Sequence, residues 1–333
     1  MKAFVYHDYG PPEVLKCEEV EKPVPEGNEV LIRVRAASVN PLDCGMMKGK
    51  PYLFRIFFGL PKPRVTRPGR DVAGEVEAVG ANVTEFKPGD AVFGLCTAGT
   101  VGDRGGAFAE YVCTCESALA SKPEAVTFEQ AASSPIAGLT ALQGLRDKGR
   151  LQAGQKVLIN GASGGVGTFA IQIAKAHGAE VTAVCSARNT EMVKSIGADH
   201  VIDYTQENFT KRRQRYDLIF DLAGNHSFWE CRQVLTPRGT FLGVGVIGAP
   251  VSFLGLFARL AAGLALSQFV GQKYLTFIAK PSKQDLDLIG QMMASGKLKP
   301  VIDRRYCLSE TPDAMRYLDQ SHARGKVLIA PIV

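Results

Sequence analysis

From residue 156 onward, short apolar runs rich in β-branched residues alternate with segments whose apolar positions recur every three to four residues. Strands are predicted at Lys156 to Ile159, Val181 to Cys185, His200 to Asp203, Leu218 to Asp221 and Thr240 to Val244, with a helix from Val166 to His177. Such alternation builds a parallel sheet with helices on both faces, because right-handed crossovers return each strand to the same direction. The front of the chain is patterned differently. Lys2 to Tyr6, Val30 to Ala37, Gly74 to Val79 and Phe108 to Cys113 read as short strands between Pro-Glu-Gly, Pro-Gly and Lys-Pro-Gly-Asp turns, which predicts an irregular β barrel. Two helical patterns lie between Thr127 and Gly149. The tail carries a strand-like segment near Val301 and Ile302, a helix over Pro312 to Ser321 and a strand over Lys326 to Ile329.

The stretch VLINGASGGVGTFAIQIAKAHGAEVTAVCS, Val157 to Ser186, joins a strand, a glycine-rich turn, a helix and a second strand into one βαβ unit. In dinucleotide sites of this form one glycine makes the tight turn, a second lets the backbone approach a pyrophosphate, and a third lets helix pack on strand. Here Gly164 and Gly167 take the second and third places and Ala162 stands in the first. The turn residues Ala162, Ser163, Gly164, Gly165, Val166 and Gly167 are therefore candidate phosphate contacts at a helix N-terminus. An NAD site places Asp or Glu at the end of the second strand, against the ribose hydroxyls. This chain has Ser186, Ala187, Arg188 and Asn189 there. With no carboxylate to repel a 2′-phosphate and an arginine fork to bind one, NADPH is the expected coenzyme; a solvated Arg188 is the competing reading. Tyr204, at the end of the third strand, is a candidate coenzyme contact or a packing residue.

At 333 residues and 46% hydrophobic composition, the chain is long enough for two domains. Its start, MKAFVYHDYG, lacks the basic and apolar regions of a secretory signal, and its eight scattered cysteines form no C-x-x-C pair. A reduced, cytoplasmic setting is expected. The net charge of +6 is dispersed except at Lys211, Arg212, Arg213 and Arg215, where no aromatic stripe accompanies it, so nucleic acid is not an expected partner.

The segments SVNPLD (Ser38 to Asp43), PGRDVAGEVEAVG (Pro68 to Gly80), KPGDAVFG (Lys87 to Gly94), GAFAEY (Gly106 to Tyr111), AGLTALQGL (Ala137 to Leu145) and HARGKVLI (His322 to Ile329), together with GASGGVG, resemble the quinone oxidoreductase branch of the medium-chain dehydrogenase/reductase superfamily. The resemblance covers nearly the full chain. It implies an α/β protein in which a GroES-like β-barrel substrate domain, residues 1–130 plus 299–333, carries an inserted doubly wound Rossmann domain, residues 131–298.

Zinc-dependent members place Cys, His and Cys or Asp at three points that correspond here to Asn40, Arg70 and Ile136, none of which is a good zinc ligand. Their four-cysteine structural lobe corresponds to a region with only Cys96, Cys113 and Cys115. No catalytic or structural metal is expected. Reducing a simple ketone leaves an alkoxide that calls for a Lewis acid or a strong proton donor, whereas a quinone or an α,β-unsaturated carbonyl spreads the incoming charge. The expected activity is a zinc-independent, NADPH-dependent reduction of such acceptors. A metal-free NADP-linked alcohol or aldehyde dehydrogenase, and a non-catalytic NADPH-binding scaffold, are the alternatives.

Asn40 falls where family members line the cleft and is the first candidate for a polar contact to substrate oxygen or nicotinamide; turn formation beside Pro41 is its competing role. Asp43 and Arg70 are a candidate ion pair near the same place, with Arg70 able to stabilise an oxyanion or only to bridge two loops. The resemblance suggests that Thr140 touches the nicotinamide ring, against helix packing or capping. Arg324 and Lys326 are candidate phosphate contacts, against simple solvation. Several enone-reducing relatives carry a lysine just after the aspartate of N-P-x-D; here Cys44 and Gly45 follow, and Lys48 is the nearest lysine. Lys50 to Pro68 mixes aromatics, prolines and cations as a lid or surface patch would. Val251 to Val270 is apolar apart from Arg259, with Phe253, Phe257, Leu260 and Leu264 at helical spacing. A dimer contact or pocket wall is expected rather than a transmembrane span, with peripheral membrane contact the minor alternative. A homodimer is expected.

Overall fold

The computed structural model describes residues 1–50, 52, 55–56, 59–96, 105–244, 270–320 and 323–330. Residues 251–269, and residues 51, 53–54 and 57–58 of the stretch Lys50 to Pro68, lie outside the described residues, and with them the expectations placed there. Two compact units emerge. Unit 1 is Met1–Leu139, Lys280–Gly296 and Pro300–Val333; unit 2 is Thr140–Ala279 with Lys297–Lys299.

Unit 2 is built on a six-stranded sheet in the spatial order His200–Asp203, Glu180–Cys185, Lys156–Asn160, Tyr216–Asp221, Leu235–Gly243, Lys273–Thr276, every neighbouring pair parallel. A parallel sheet covered on both faces needs strands that are apolar throughout rather than alternating. Lys156–Asn160 meets that demand with only Lys156 exposed, and Leu158, Val184, Ile202, Ile219 and Phe241 share one core. The helix Gly165–Ala176 buries Phe169, Ile171 and Ile173. Gln172 on this helix exchanges two hydrogen bonds with the Lys299 backbone, N–H to Oε1 at 2.7 Å and Nε2 to O at 3.0 Å, which ties that distant segment into the unit. Chain order reverses between Lys156–Asn160 and Tyr216–Asp221, the place where a doubly wound sheet opens a crevice at the carboxyl ends of its strands.

In unit 1 the long strand Glu29–Val39 is the hub. One side pairs with Asp71–Val79; the other pairs with Tyr111–Cys115 along its first half and with Lys326–Ile329 along its second. Two register shifts in the Asp71–Val79 ladder bend the strand, as bulges do in a closing sheet. Val30, Ile32, Val34, Val72, Val92, Phe108, Leu119 and Val327 fill the core beneath it. Residues 131–139 and 280–296, assigned from sequence to the nucleotide-binding domain, fall in unit 1. In the second of these the Lys283–Ala294 helix, capped by Ser282 Oγ on Asp285 N–H at 3.2 Å, buries Leu286 and Ile289.

Candidate active and coenzyme site

In unit 2, Asn160 ends its strand and the chain turns through Gly161 at φ 87°, a left-handed conformation open to glycine. Ala162 N–H is tied to Val184 O at 3.1 Å, and Gly164, extended at φ −80° and ψ 175°, caps the Gly165–Ala176 helix. A methyl group on Gly167 would sit 2.4 Å from Gly161 O and 2.6 Å from the Ala162 carbonyl carbon, so that glycine is required by the close approach of the helix to the turn that follows the strand. A methyl group on Gly164 would meet only Gly161 O, at 3.5 Å. The fold leaves that position open, as a backbone approached by a pyrophosphate must be.

Beside the turn, buried Asn189 donates Nδ2 to Ser163 Oγ at 3.0 Å and to Ser186 Oγ at 3.2 Å. It thus joins the glycine turn to the end of the second strand. Its Oδ1 is buried without a partner, an orphan acceptor that suits a ribose hydroxyl. Arg188 and Tyr204 are both exposed nearby in sequence and bonding, Tyr204 N–H reaching Cys185 O at 3.1 Å. At the sheet crevice Asn160 Nδ2 donates to Asp221 Oδ1 and Asn225 Oδ1, both at 2.8 Å. Burial pushes the Asp221 carboxyl up from its ordinary value, against the N–H groups of Gly224 and Ala223 and the Asn160 amide. Thr140 is buried in the helix Pro135–Gln143. These groups fit a dinucleotide.

Unit 1 holds a second polar cluster. Asp71, fully buried, accepts from Ser38 Oγ at 2.5 Å, Asn40 Nδ2 at 2.9 Å and Lys326 Nζ at 3.2 Å on Oδ2, and from Ile136 N–H at 2.9 Å on Oδ1. Lys326 also donates to Asn40 Oδ1 at 2.6 Å. Asn40 N–H donates to Asp43 Oδ2 at 2.8 Å, the N-terminal capping box of helix Pro41–Lys48, and Gly69 N–H donates to Asp43 Oδ1 at 3.2 Å. Burial raises the Asp43 pKa to about 6, against the nearby Arg70 charge and the Asn40 N–H; the Asp71 charge adds to the rise.

This geometry places Asn40 and corrects two other expectations. Asn40 accepts from Lys326 Nζ on its carboxamide oxygen and donates Nδ2 to Asp71 and, at 3.3 Å, to Ser38 O. Asp43 and Arg70 form no direct ion pair: backbone N–H groups bind the carboxylate, while Arg70 donates to Cys96 O at 3.0 Å and to Met46 Sδ at 3.4 Å. Lys326 is buried in an ion pair with Asp71, so its ammonium is held within unit 1 and not offered to phosphate. Arg324 is exposed, with its N–H on Asp303 Oδ2 at 2.9 Å, and Lys48 pairs with Asp319.

Sequence reasoning passed over Ser38, Asp71, Asn160 and Asp221. The signal was there for Asp71, a charge at the first position of the strand Asp71–Val79.

Of Asn40, Arg70 and Ile136, the first is bonded to an ammonium, the second is a cation and the third has no donor side chain. Among the described residues no His, Cys, Asp or Glu side chains gather in threes as metal ligands would. No helix among the described residues is long and apolar enough to cross a membrane.

A nucleotide-binding parallel sheet joined in one chain to a GroES-like β unit defines a two-part dehydrogenase or reductase. The sequence profile described as "Alcohol dehydrogenase GroES-like domain" matches residues 26–124, and that described as "Zinc-binding dehydrogenase" matches residues 196–329. The chain is 35% identical to the "NADPH-dependent alkenal/one oxidoreductase, chloroplastic" of Arabidopsis thaliana, over all of this chain and 80% of that protein. Among solved structures it matches the quinone oxidoreductase from Coxiella burnetii at 32% identity and a TM-score of 0.86, covering 99% of each chain. It matches the Escherichia coli quinone oxidoreductase complexed with NADPH at 25% identity and a TM-score of 0.84, covering 99% of this chain and all of that one. The chain belongs to the medium-chain dehydrogenase/reductase superfamily, in its quinone oxidoreductase-like branch.

Proposed function

We propose that the chain is an NADPH-dependent reductase of quinones or α,β-unsaturated carbonyl compounds. The observation that carries this reading is the open Gly164 position beside the orphan Asn189 acceptor, in a chain of the quinone oxidoreductase-like branch. When bound, NADPH supplies the hydride; the chain binds, orients and limits what else can react. The N–H groups that open the Gly165–Ala176 helix take the pyrophosphate, Ser186 and Arg188 the 2′-phosphate, and Asn189 Oδ1 a ribose hydroxyl. Asn40 and Lys326 hold the first turn of the Pro41–Lys48 helix and Asp71 holds the Ile136 amide, so the buried polar cluster of unit 1 fixes these elements to one another. With Asn40, Arg70 and Ile136 at the three ligand positions, no zinc enters the reaction, which suits an acceptor whose conjugation spreads the charge. The fuller form of the proposal is a cytoplasmic homodimer. The test is NADPH oxidation against a panel of quinones, enones and simple ketones: turnover should appear with the first two and not the third, and tight NADPH binding without oxidation by any acceptor would leave the scaffold alternative instead.

A further inference from the structure

The amino ends of the strands in unit 2 carry a feature that coenzyme binding leaves unused. Arg215 precedes the Tyr216–Asp221 strand, Leu235 and Pro237 open the next, and Gln272 precedes Lys273–Thr276. Because these strands are parallel, the residues share one edge of the sheet, opposite to the edge at which Gly161 and Ser186 leave their strands. A six-residue strand separates the two edges by about 17–20 Å. At the amino edge lies an open cavity of about 330 Å³ lined by Arg215, Trp229, Arg232, Gln233, Leu235, Pro237 and Gln272, with no carboxylate among the described residues that line it.

Its parts are held in place. Gln272, nearly buried, accepts from Arg232 Nε at 3.2 Å and donates Nε2 to Arg232 O at 3.0 Å and Thr236 O at 3.2 Å. That grip sets the Arg232 guanidinium over the Trp229 ring, Cζ 4.9 Å from the ring centroid. Trp229 is 58% exposed, unusual for the largest side chain. Neither Arg215 nor Arg232 pairs with a carboxylate among the described residues, whereas Arg212 in the same basic run is held by Glu207 at 2.6 Å. An accessible indole with one guanidinium over its ring, and a second arginine on the same lining, matches a flat ring that carries a negative charge: the ring packs on the indole and the anion takes the forks.

We propose that this cavity is a second ligand site, for a small molecule that joins one planar aromatic ring system to one carboxylate or phosphate group. Its volume is at the lower end of the range for small-molecule sites, which limits the ligand to a single aromatic ring system with its anionic group close by. Aromatic carboxylates and nucleoside monophosphates share that chemistry, and benzoate and AMP serve as probes of the two. The protein is first saturated with NADP+, which keeps AMP off the coenzyme site. Trp229 is the chain's one tryptophan, so its emission reports this cavity alone. The proposal predicts a saturable change in that emission with at least one probe, weakened roughly tenfold or more in Arg215→Gln/Arg232→Gln while NADP+ affinity stays as it was. A response to benzoate alone assigns the aromatic carboxylate, and a response to AMP alone assigns the nucleotide. Calorimetry on Trp229→Ala, a change at an exposed side chain, gives a second reading and should show the same weakening. No saturable response to either probe, or equal affinity in the wild type and these variants, overturns the proposal.

Discussion

Substituting Ala at Gly164 and at Gly167 separates what the glycine turn does for the fold from what it does for the ligand. At Gly164 the added methyl meets only Gly161 O at 3.5 Å, and its backbone angles suit any residue. The change loses about 0.5–1 kcal/mol of capping preference and regains about 0.4–1 kcal/mol by restricting the unfolded chain, so stability should move by less than about 0.6 kcal/mol. The methyl instead occupies the space through which an anion reaches the helix N–H groups. Losing one charge-assisted bond there costs about 1.5–3 kcal/mol, roughly 10- to 150-fold in Kd. At Gly167 the methyl would press into backbone at 2.4 and 2.6 Å, which cannot give way cheaply; overpacking of that kind costs about 1–3 kcal/mol and roughly 3–10 °C in Tm. Calorimetric titration with NADPH and thermal unfolding of both variants decide the matter. A Gly164→Ala protein that binds NADPH as tightly as the wild type would refute the reasoning, as would one that unfolds as early as Gly167→Ala.

Arg188→Ala should weaken NADPH roughly tenfold or more while leaving NADH nearly unchanged, read by parallel titrations; equal loss for both would remove Arg188 from the 2′-phosphate. Lys326→Met strands a fully buried Asp71 carboxylate and should cost about 3–5 kcal/mol in denaturant unfolding, with part of the loss recovered on adding Asp71→Asn. An unaffected unfolding midpoint in the single variant would mean the pair carries no strain of charge. Asp43 has its pKa raised to about 6 from 3.8, so the native state holds the proton more tightly than the unfolded one. Its contribution to stability is therefore greatest at low pH and falls as pH rises through about 4 to 6, by up to about 3 kcal/mol. Asp43→Asn should flatten that slope; a pH profile identical to the wild type would contradict it.

The parallel sheet was legible because each buried strand is a short apolar run, and the tail strand Lys326–Ile329 matches its predicted bounds. Lys273–Thr276 escaped notice because its four residues, KYLT, pattern too briefly to stand apart from the long apolar segment before them. Lys283–Ala294 escaped notice too, although its Ser-x-x-Asp start is a helix-opening signal. The coenzyme turn was readable for the opposite reason, since all its parts lie within one βαβ unit. The unit 1 cluster was not: Asn40, Asp71 and Lys326 are separated by up to 286 residues, and only the antiparallel pairing of Glu29–Val39 with two distant strands brings them together. The resemblance suggested an Asp43–Arg70 pair because opposite charges fell near the same cleft. The capping box at Asn40 and the Gly69 N–H bind that carboxylate first.

The central claim is that this chain passes hydride from NADPH to a conjugated acceptor without a metal. The direct measurement is NADPH oxidation by a quinone and an enone, before and after dialysis against a strong chelator, with bound zinc determined in the same samples. The account predicts turnover that survives chelation in protein containing no stoichiometric zinc. Turnover lost on chelation and restored by zinc, or failure to bind NADPH at all, would contradict it.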